Sequence, residues 1–364
     1  MQDAVMILAA WNDPHASTVN WALRSNNVPT LIAPDVSGLA SRTSIVADAQ
    51  HMAWRLDVRD VVDGAIRSVW FRRPKPVRAT HCLESDRAFV EQEWQLFQRN
   101  VFDLEEVIVD AQWVNSPARA AAAESKLMQL RAAQQLGIPF PDIAVTNDVR
   151  EVRAMVERWG RIVHKVFSPH IWKSASDQSY HSVAVTLIDA DTPLLEDSIA
   201  LCPSLFQRYV DKAYDVRVTV IGDRLFPVRI GKRTGEAYLD PRQHMLDDEI
   251  EMVPLSLSPA WEQKLRALMK RLGLVFGCID LVADRKGHLY FLEINQAGQF
   301  LFVEDKLPAL PLLRAMTAFL MTGRTDYDLE DSIPVHLEQF RDSSEYERVN
   351  ESHRDTKWET ALEE

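Results

Sequence analysis

Gly277-Cys278-Ile279-Asp280-Leu281-Val282, the turn sequence Asp284-Arg285-Lys286-Gly287 and Tyr290-Phe291-Leu292-Glu293-Ile294-Asn295 form the most informative stretch of this chain. Two apolar runs of strand length flank a glycine-bearing turn, which is the pattern of a β-hairpin. With the turn centred between Arg285 and Lys286, Asp280 is expected opposite Phe291, and the two-residue period places Glu293 and Asn295 on that same face. Three oxygen donors then converge on one side of one hairpin. Such a set suits Mg²⁺, which prefers hard oxygen ligands and is usually shared with substrate phosphates. The bland alternative is a pair of solvent-facing carboxylates. Their setting in strongly apolar strands argues against it, because a buried carboxylate without a cation is costly.

Upstream, Asp215-Val216-Arg217-Val218-Thr219-Val220-Ile221 alternates cleanly, with the valines on one face, and Gly222-Asp223 turns it into another hairpin. A helix is expected from about Pro259 to Leu272. Earlier still, Ser116 as N-cap and Pro117 at the first position start a helix that stops at Gly137. Ala123, Leu127, Leu130 and Ala133 form its expected inward stripe, with Lys126 inside it. An amphipathic helix near 149–159 leads to a strand at 161–167, where Lys165 shares a face with Val163 and Phe167. Residues 168–182 read as a polar loop, and Ser204–Val210 as a strand entering a linker. Two lysines among apolar residues call for anionic partners, although a stripe-edge lysine often just snorkels to water.

The first 115 residues alternate short apolar strands, at 4–10, 29–33, 68–71 and 106–109, with helical stretches, which suggests a small parallel sheet. The glycine-rich dinucleotide fingerprint is missing after the first strand, so this is not evidently an NAD domain. A length of 364 residues suits two or three packed α/β units with a cleft between them. The expected division is 1–115, 116–205, 206–325 and an acidic, flexible tail at 326–364.

The net charge of −12 is concentrated in that tail, which holds 13 Asp/Glu against 4 Lys/Arg. Residues 205–245, by contrast, are rich in arginine and lysine, which suggests a small anionic ligand, although composition alone would favour a solvated hairpin face. No apolar run approaches the roughly 18 residues of a membrane span. Three separated cysteines support neither a disulfide framework nor a zinc site, and a reducing cytoplasm is the expected compartment. There is no GxxxxGK[ST] loop and no kinase HRD motif, so phosphate binding of another kind is implied.

These residues resemble the ATP-grasp superfamily, and within it the graspetide (microviridin-type) synthetases that crosslink ribosomal peptides. The closer match is carried by Val69-Trp70-Phe71-Arg72-Arg73-Pro74, Asn115-Ser116-Pro117 leading to Lys126, Phe206-Gln207-Arg208-Tyr209-Val210 before Asp215-Val216-Arg217, and Asn295-Gln296-Ala297-Gly298-Gln299-Phe300. The resemblance implies an ATP-grasp fold behind a Rossmann-like first domain, with ATP and Mg²⁺ as cofactors. It implies that Lys126 and Lys165 bind the nucleotide phosphates, that Gln207, Arg208, Tyr209 and Val210 form the adenine hinge, and that Asp215 holds the ribose. Arg217 and one or more of Arg229, Arg233 and Arg242 would face the triphosphate and the acceptor carboxylate, while Asp280, Glu293 and Asn295 hold the metal. The reaction implied is carboxylate phosphorylation followed by attack of a hydroxyl or amine, giving ester or amide crosslinks. The implied partners are a precursor peptide with a leader and an Asp/Glu plus Thr/Ser/Lys core, and a second copy of the chain, without nucleic acid or membrane. The alternatives are a ligase that adds free amino acids and a non-catalytic ATP-binding scaffold. Two departures stand out: Gln296-Ala297 replaces the usual proline after the metal-binding asparagine, and 168–182 lacks phosphate-covering glycines.

Overall fold

The computed structural model describes residues 3–355 except 11–12, 35–42, 51, 57–58, 62–65, 75–78, 80–81, 107, 168–170, 174–178, 184, 236–237 and 240–248. The chain opens with β1 (Ala4–Ala9), buried throughout, and α1 (Pro14–Ser25), which Asp13 caps by accepting from the Ala16 N–H at 2.9 Å. With β2 (Thr30–Pro34), β6 (Ile66–Arg72) and β7 (Gln112–Val114), β1 forms a parallel sheet ordered β2-β1-β6-β7. The last strand is not at 106–109 as expected. Of that apolar run Ile108 is buried but Val109 is 62% exposed, whereas Trp113 and Val114 bury their side chains beside Val69 and Trp70. Between β2 and β6 stands a three-stranded antiparallel sheet that the sequence pattern did not suggest, β3 (Thr43–Ala47), β4 (Met52–Leu56) and β5 (Arg59–Val61). Helix α2 (Arg87–Phe102) precedes β7.

The helix expected over 116–137 is two helices, α3 (Pro117–Glu124) and α4 (Lys126–Gln135), broken at Ser125, whose ψ of 110° is extended. The break re-phases the second half. Leu127, expected inward, is 58% exposed, and Gln129 is buried instead, donating to the Ala123 and Ile294 carbonyls and accepting from the Ile294 N–H. Lys126 therefore starts a helix rather than sitting within a stripe. The next sheet, ordered β12-β9-β13-β8, is antiparallel and contains β8 (Ile143–Thr146), β9 (Ile162–Lys165), β12 (Thr186–Ile188) and β13 (Ser204–Arg208). Helix α5 (Val149–Trp159) covers it with Val152, Met155 and Val156. Within the expected loop at 168–182, β10 (Ile171–Lys173) pairs with β11 (Tyr180–Ser182), and α6 (Glu196–Ala200) follows β12.

The C-terminal sheet is ordered β16-β15-β14-β17-β18 and is antiparallel throughout: β14 (Lys212–Ile221), β15 (Arg224–Lys232), β16 (Ile250–Pro254), β17 (Phe276–Asp284) and β18 (Leu289–Asn295). One face, with Val216, Val218, Val220, Ile279 and Leu281, packs on α7 (Pro259–Leu272) through Leu265, Leu268 and Met269. Part of the other face, with Val228, Ile230 and Cys278, joins a core built from α1, α8 (Leu301–Lys306) and α9 (Leu312–Thr322). Burying each such aliphatic side chain contributes about 1.5–3 kcal/mol, so both faces hold this sheet in place. Among the described residues, no helix is long and apolar enough to cross a membrane.

The expectation of a flexible tail from 326 fails over 326–355. Tyr327, Val335 and Phe340 are buried, and α10 (Leu337–Arg341) sets Phe340 against Trp21 of α1 with ring centroids 5.6 Å apart. The buried Glu304 carboxylate accepts from the Leu313 N–H at 2.6 Å and the Leu337 N–H at 3.1 Å, tying α10 to α8 and α9. Arg24 meets Glu345 of α11 (Ser344–Asp355) at 3.4 Å. The apolar anchors are few and far apart, so the tail's acidity conceals them. Trp358 and Leu362 lie outside the described residues. Phe340→Ala is expected to lower stability by about 3 kcal/mol or more, and truncation after Asp326 by at least as much. Urea unfolding measures both, and unchanged midpoints would contradict this packing.

Candidate active site

The β17–β18 hairpin turns through Arg285-Lys286-Gly287. Asp284 N–H bonds to His288 O at 2.9 Å, Gly287 N–H bonds to Asp284 O at 2.9 Å, and Gly287 takes φ = +84°, a region open to glycine. The turn is one residue longer than a two-residue loop, and the register shifts again between Asp280 and Leu281. Asp280 therefore faces Glu293 rather than Phe291, Leu281 faces Phe291, and Cys278 faces Asn295. This corrects the expected pairing and tightens the cluster, for the two carboxylates are now direct cross-strand neighbours.

Like charges directly opposite on a sheet destabilise it unless cations intervene. Two do. Arg217, opposite Asp280 on β14, sets Nη1 at 2.8 Å from both Asp280 oxygens, and Lys126 Nζ bonds Glu293 Oε2. Burial pushes the Asp280 carboxyl up, Arg217 opposes that shift and the Glu293 charge adds to it. Burial also opposes charge on Arg217, but the charge and hydrogen bonds of Asp280, with Cys278 and Glu293 adding to them, together hold the guanidinium above its usual range. Arg217 Nη2 further donates to the Gln299 carbonyl at 3.0 Å. Among the described residues, no three His, Cys, Asp or Glu side chains cluster as a metal site. The oxygen set here is two carboxylates and the Asn295 amide.

Lys165 and Gln207 also come together, Nζ to Oε1 at 2.8 Å, across the β9–β13 pairing. Arg208 bonds Asp142 at 3.1 Å and lies over the Tyr290 ring of β18, linking the sheet that contains β13 to the sheet that contains β18, while Tyr209 N–H bonds Arg161 O and Val210 follows. Asp215 shares the Arg217 face by the two-residue period and receives Lys212 Nζ at 2.7 Å. Tyr238 closes over that ion pair and donates its hydroxyl to Ile230 O. Burial, followed by the Asp215 charge, pushes the Tyr238 phenol well above its ordinary range.

The remaining arginines are not gathered here. Arg229 pairs with Val216, so it projects from the opposite face, where it stacks on Tyr214 at 4.6 Å. Arg233 is exposed beyond the end of β15, and Arg242 lies outside the described residues. Sequence reasoning gave no site role to several polar residues here, although Arg72 and Asn115 stand within the motifs that carry the resemblance. Asn115 donates to Phe276 O and Gln296 O and accepts from the Val275 and Phe276 N–H groups. Arg72 is 1% exposed and reaches Asp13 and the Ala297 and Gly298 carbonyls. His15 Nε2 accepts from the Phe300 and Leu301 N–H groups at 3.1 and 3.3 Å. The adjacent arginines in Arg72-Arg73 were the available signal for one of these.

His15 also makes the junction sensitive to acid. Burial, then the Arg72 charge, lower its imidazole to about 3, with Asp13 pulling the other way. Below the unfolded value near 6.5 the unfolded chain binds this proton and the native one does not, so this contribution is full above pH 6.5 and is lost as the pH falls towards 3. His15→Gln keeps an acceptor without the proton. It is expected to flatten the acid limb of stability between pH 6.5 and 4, a limb that costs up to about 1.4 kcal/mol per pH unit. Urea titrations across that range check it, and an equally steep fall in the variant would count against this origin.

No protein-family profile matches the chain. It is 29% identical over 175 residues to a D-alanine–D-alanine ligase of Paraburkholderia phymatum, covering 45% of this chain and 54% of that one. The chain thus spans about half the length of the curated relatives it matches. Solved structures resemble far more of it. A Chryseobacterium gregarium RiPP-associated ATP-grasp ligase, in complex with ADP and a leader and core peptide, superposes with TM-score 0.76 at 20% identity, over 88% of this chain and 96% of the other. The macrocyclase MdnC of Microcystis aeruginosa, bound with precursor peptide MdnA, gives 0.73 at 21% identity over 87% and 98%. The ATP-grasp ligase PsnB, complexed with minimal precursor, Mg and ADP, gives 0.66 at 20% identity over 87% and 99%. The protein has the ATP-grasp fold. The first of these holds a leader and core peptide, the second a precursor peptide and the third a minimal precursor.

Proposed function

We propose that this protein is an ATP- and Mg²⁺-dependent ligase acting on a ribosomally made precursor peptide. It transfers the ATP γ-phosphate to an Asp or Glu side chain, and a Thr, Ser or Lys side chain of the same peptide then displaces phosphate. An ester or amide crosslink forms, and ADP and phosphate leave. The observation that carries the reading is the Asp280–Glu293 pair, directly opposed beside Asn295 and flanked by Arg217 and Lys126.

The donor chemistry fits Mg²⁺: Asp280, Glu293 and the Asn295 amide oxygen are hard ligands that would hold it. When bound, the ion neutralises charge developing on the phosphates. The chain's own groups supply the rest by position and charge. Lys126 and Lys165 bind the nucleotide phosphates, Gln207 to Val210 cradle adenine, and Asp215 holds the ribose hydroxyls. Arg217 faces the transferring phosphoryl group, with Arg233 and Arg242 as candidates for the acceptor carboxylate. The placement of Arg229 on the far face removes it from that set. We assign no general base.

The match to D-alanine–D-alanine ligases favours a second reading, addition of free amino acids. The breadth of the structural likeness, nearly whole chain against whole chain, supports the peptide reading over it. A homodimer in a reducing cytoplasm belongs to the same proposal, with light scattering as its check. Co-expression with a short, Thr/Glu-rich candidate precursor, followed by mass spectrometry, tests the reaction, since each crosslink removes one water. Asp280→Asn and Glu293→Gln are each expected to lower turnover by about a hundredfold or more while the protein stays folded. Lys165→Met should weaken nucleotide binding by roughly tenfold or more in calorimetry. Full activity in either carboxylate variant would remove the assignment, and addition of free amino acids to the peptide would select the second reading.

A further inference from the structure

The turn that leaves the candidate metal ligands, residues 296–301, is fastened one backbone group after another by side chains from elsewhere. Asn115 holds the Gln296 carbonyl, Arg72 the Ala297 and Gly298 carbonyls, Arg217 the Gln299 carbonyl, and His15 the N–H groups of Phe300 and Leu301. Three of these four belong to the first sheet unit and none to the hairpin. Arg72 is the most deeply placed. Its guanidinium is buried, its Nε is paired with Asp13 at 3.1 Å, and Asp13 is in turn the cap of α1. A buried arginine is costly unless its charge and donors are met. Here a carboxylate and two carbonyls meet them, so the guanidinium is fixed in one pose.

The turn has little room to move in the other direction. Gly298 lies so close to β17 that a Cβ there would stand 2.6 Å from both Cβ and Sγ of Cys278 and 3.1 Å from Arg217 Nη2. The next guanidinium along, Arg73, has φ = +42° and reaches Asn295 Oδ1 at 3.5 Å. The turn is thus held between the first unit and the sheet, and the Asn295 amide and Arg217 are attached to that clamped segment.

We infer that Arg72 is a positioning residue for the Mg²⁺ end of the site: by holding the Ala297 and Gly298 carbonyls it fixes Asn295 and Arg217, so that the first sheet unit is a working part of metal binding. The inference rests on the proposed use of Mg²⁺ and nucleotide. Arg72, only 1% exposed, acts through the turn, and its effect is expected to follow the pattern of groups that orient metal ligands, whose loss costs about 10–100-fold in metal affinity.

Calorimetry with the non-hydrolysable analogue AMP-PNP, in EDTA and across a Mg²⁺ titration, separates this role from a general structural one. Arg72→Met is expected to keep the affinity measured in EDTA within about twofold, while the Mg²⁺ concentration giving half of the metal-dependent tightening rises by about tenfold or more. Arg72→Lys should fall between. Gly298→Ala, which displaces the same turn but also crowds Arg217, should shift the Mg²⁺ requirement in the same direction, and Arg72→Lys serves as the decisive variant if Arg72→Met does not fold. An unchanged Mg²⁺ requirement in a folded variant would overturn the inference, as would equal weakening with and without metal. If the natural protein shows no Mg²⁺-dependent binding of AMP-PNP, the proposed function falls, and the inference with it.

Discussion

Two carboxylates facing each other across neighbouring strands are the constraint around which the rest of this structure is arranged. In water their repulsion is weak, but in a half-buried sheet it must be offset by cations with fixed positions. Arg217 comes from the adjacent strand of the same sheet, which explains why β14 alternates valine with charged and polar residues: one face feeds the apolar core against α7 and the other feeds the site. Lys126 comes from a different unit, and it arrives at Glu293 because the helix carrying it is broken one residue earlier. Glu293 and Lys126 thus tie the hairpin to the preceding helix, while Arg217 ties it to the turn beyond Asn295. Both cations are also the kind of group that a phosphate can engage in place of a carboxylate. The phosphate contacts proposed above would draw on the same side chains as the resting charge balance.

Much of this was legible in the sequence wherever local chemistry and periodicity agreed. Helix α7 starts after Ser258 and ends before Gly273, which takes φ = +70°, and the β14–β15 turn falls at Gly222-Asp223, both as expected. The face shared by Asp280, Glu293 and Asn295 was legible too, because the two register errors, one residue each, add to two and restore the parity that a single slip would have flipped. The register was not. A three-residue turn and a bulge at Asp280 each add a residue, and neither has a strong local signature. The break at Ser125 was hidden because the helical pattern continues through it. Only burial of Gln129, a long-range event, reveals the new phase. The sheet β3–β5 carries no clean alternation in Thr43-Ser44-Ile45-Val46-Ala47 or Met52-Ala53-Trp54-Arg55-Leu56.

The polar residues around the site were given no role there for a related reason. Asn115, Gln129 and His15 bond to backbone groups more than 160 residues away in sequence, as does Arg72 in holding its two carbonyls. No window of sequence contains both partners. Arginine placement shows the reverse limit. Arg217 and Arg229 look equivalent by composition, but β-sheet parity sends them to opposite faces.

The docking of the last described helices on α1 has a consequence for how the chain is made. Val19 and Leu23 of α1 share one core with Leu312, Met316 and Phe319 of α9, and Trp21 meets Phe340. A ribosome adding about 5–20 residues each second needs on the order of fifteen seconds to a minute to travel from the first of these partners to the second. Throughout that interval the first helix has β1 and β2 to pack against, while the part of its apolar side that meets α9 and α10 lacks its cover. The first helix leaves the ribosome early, but its packing is completed only by the last described helices.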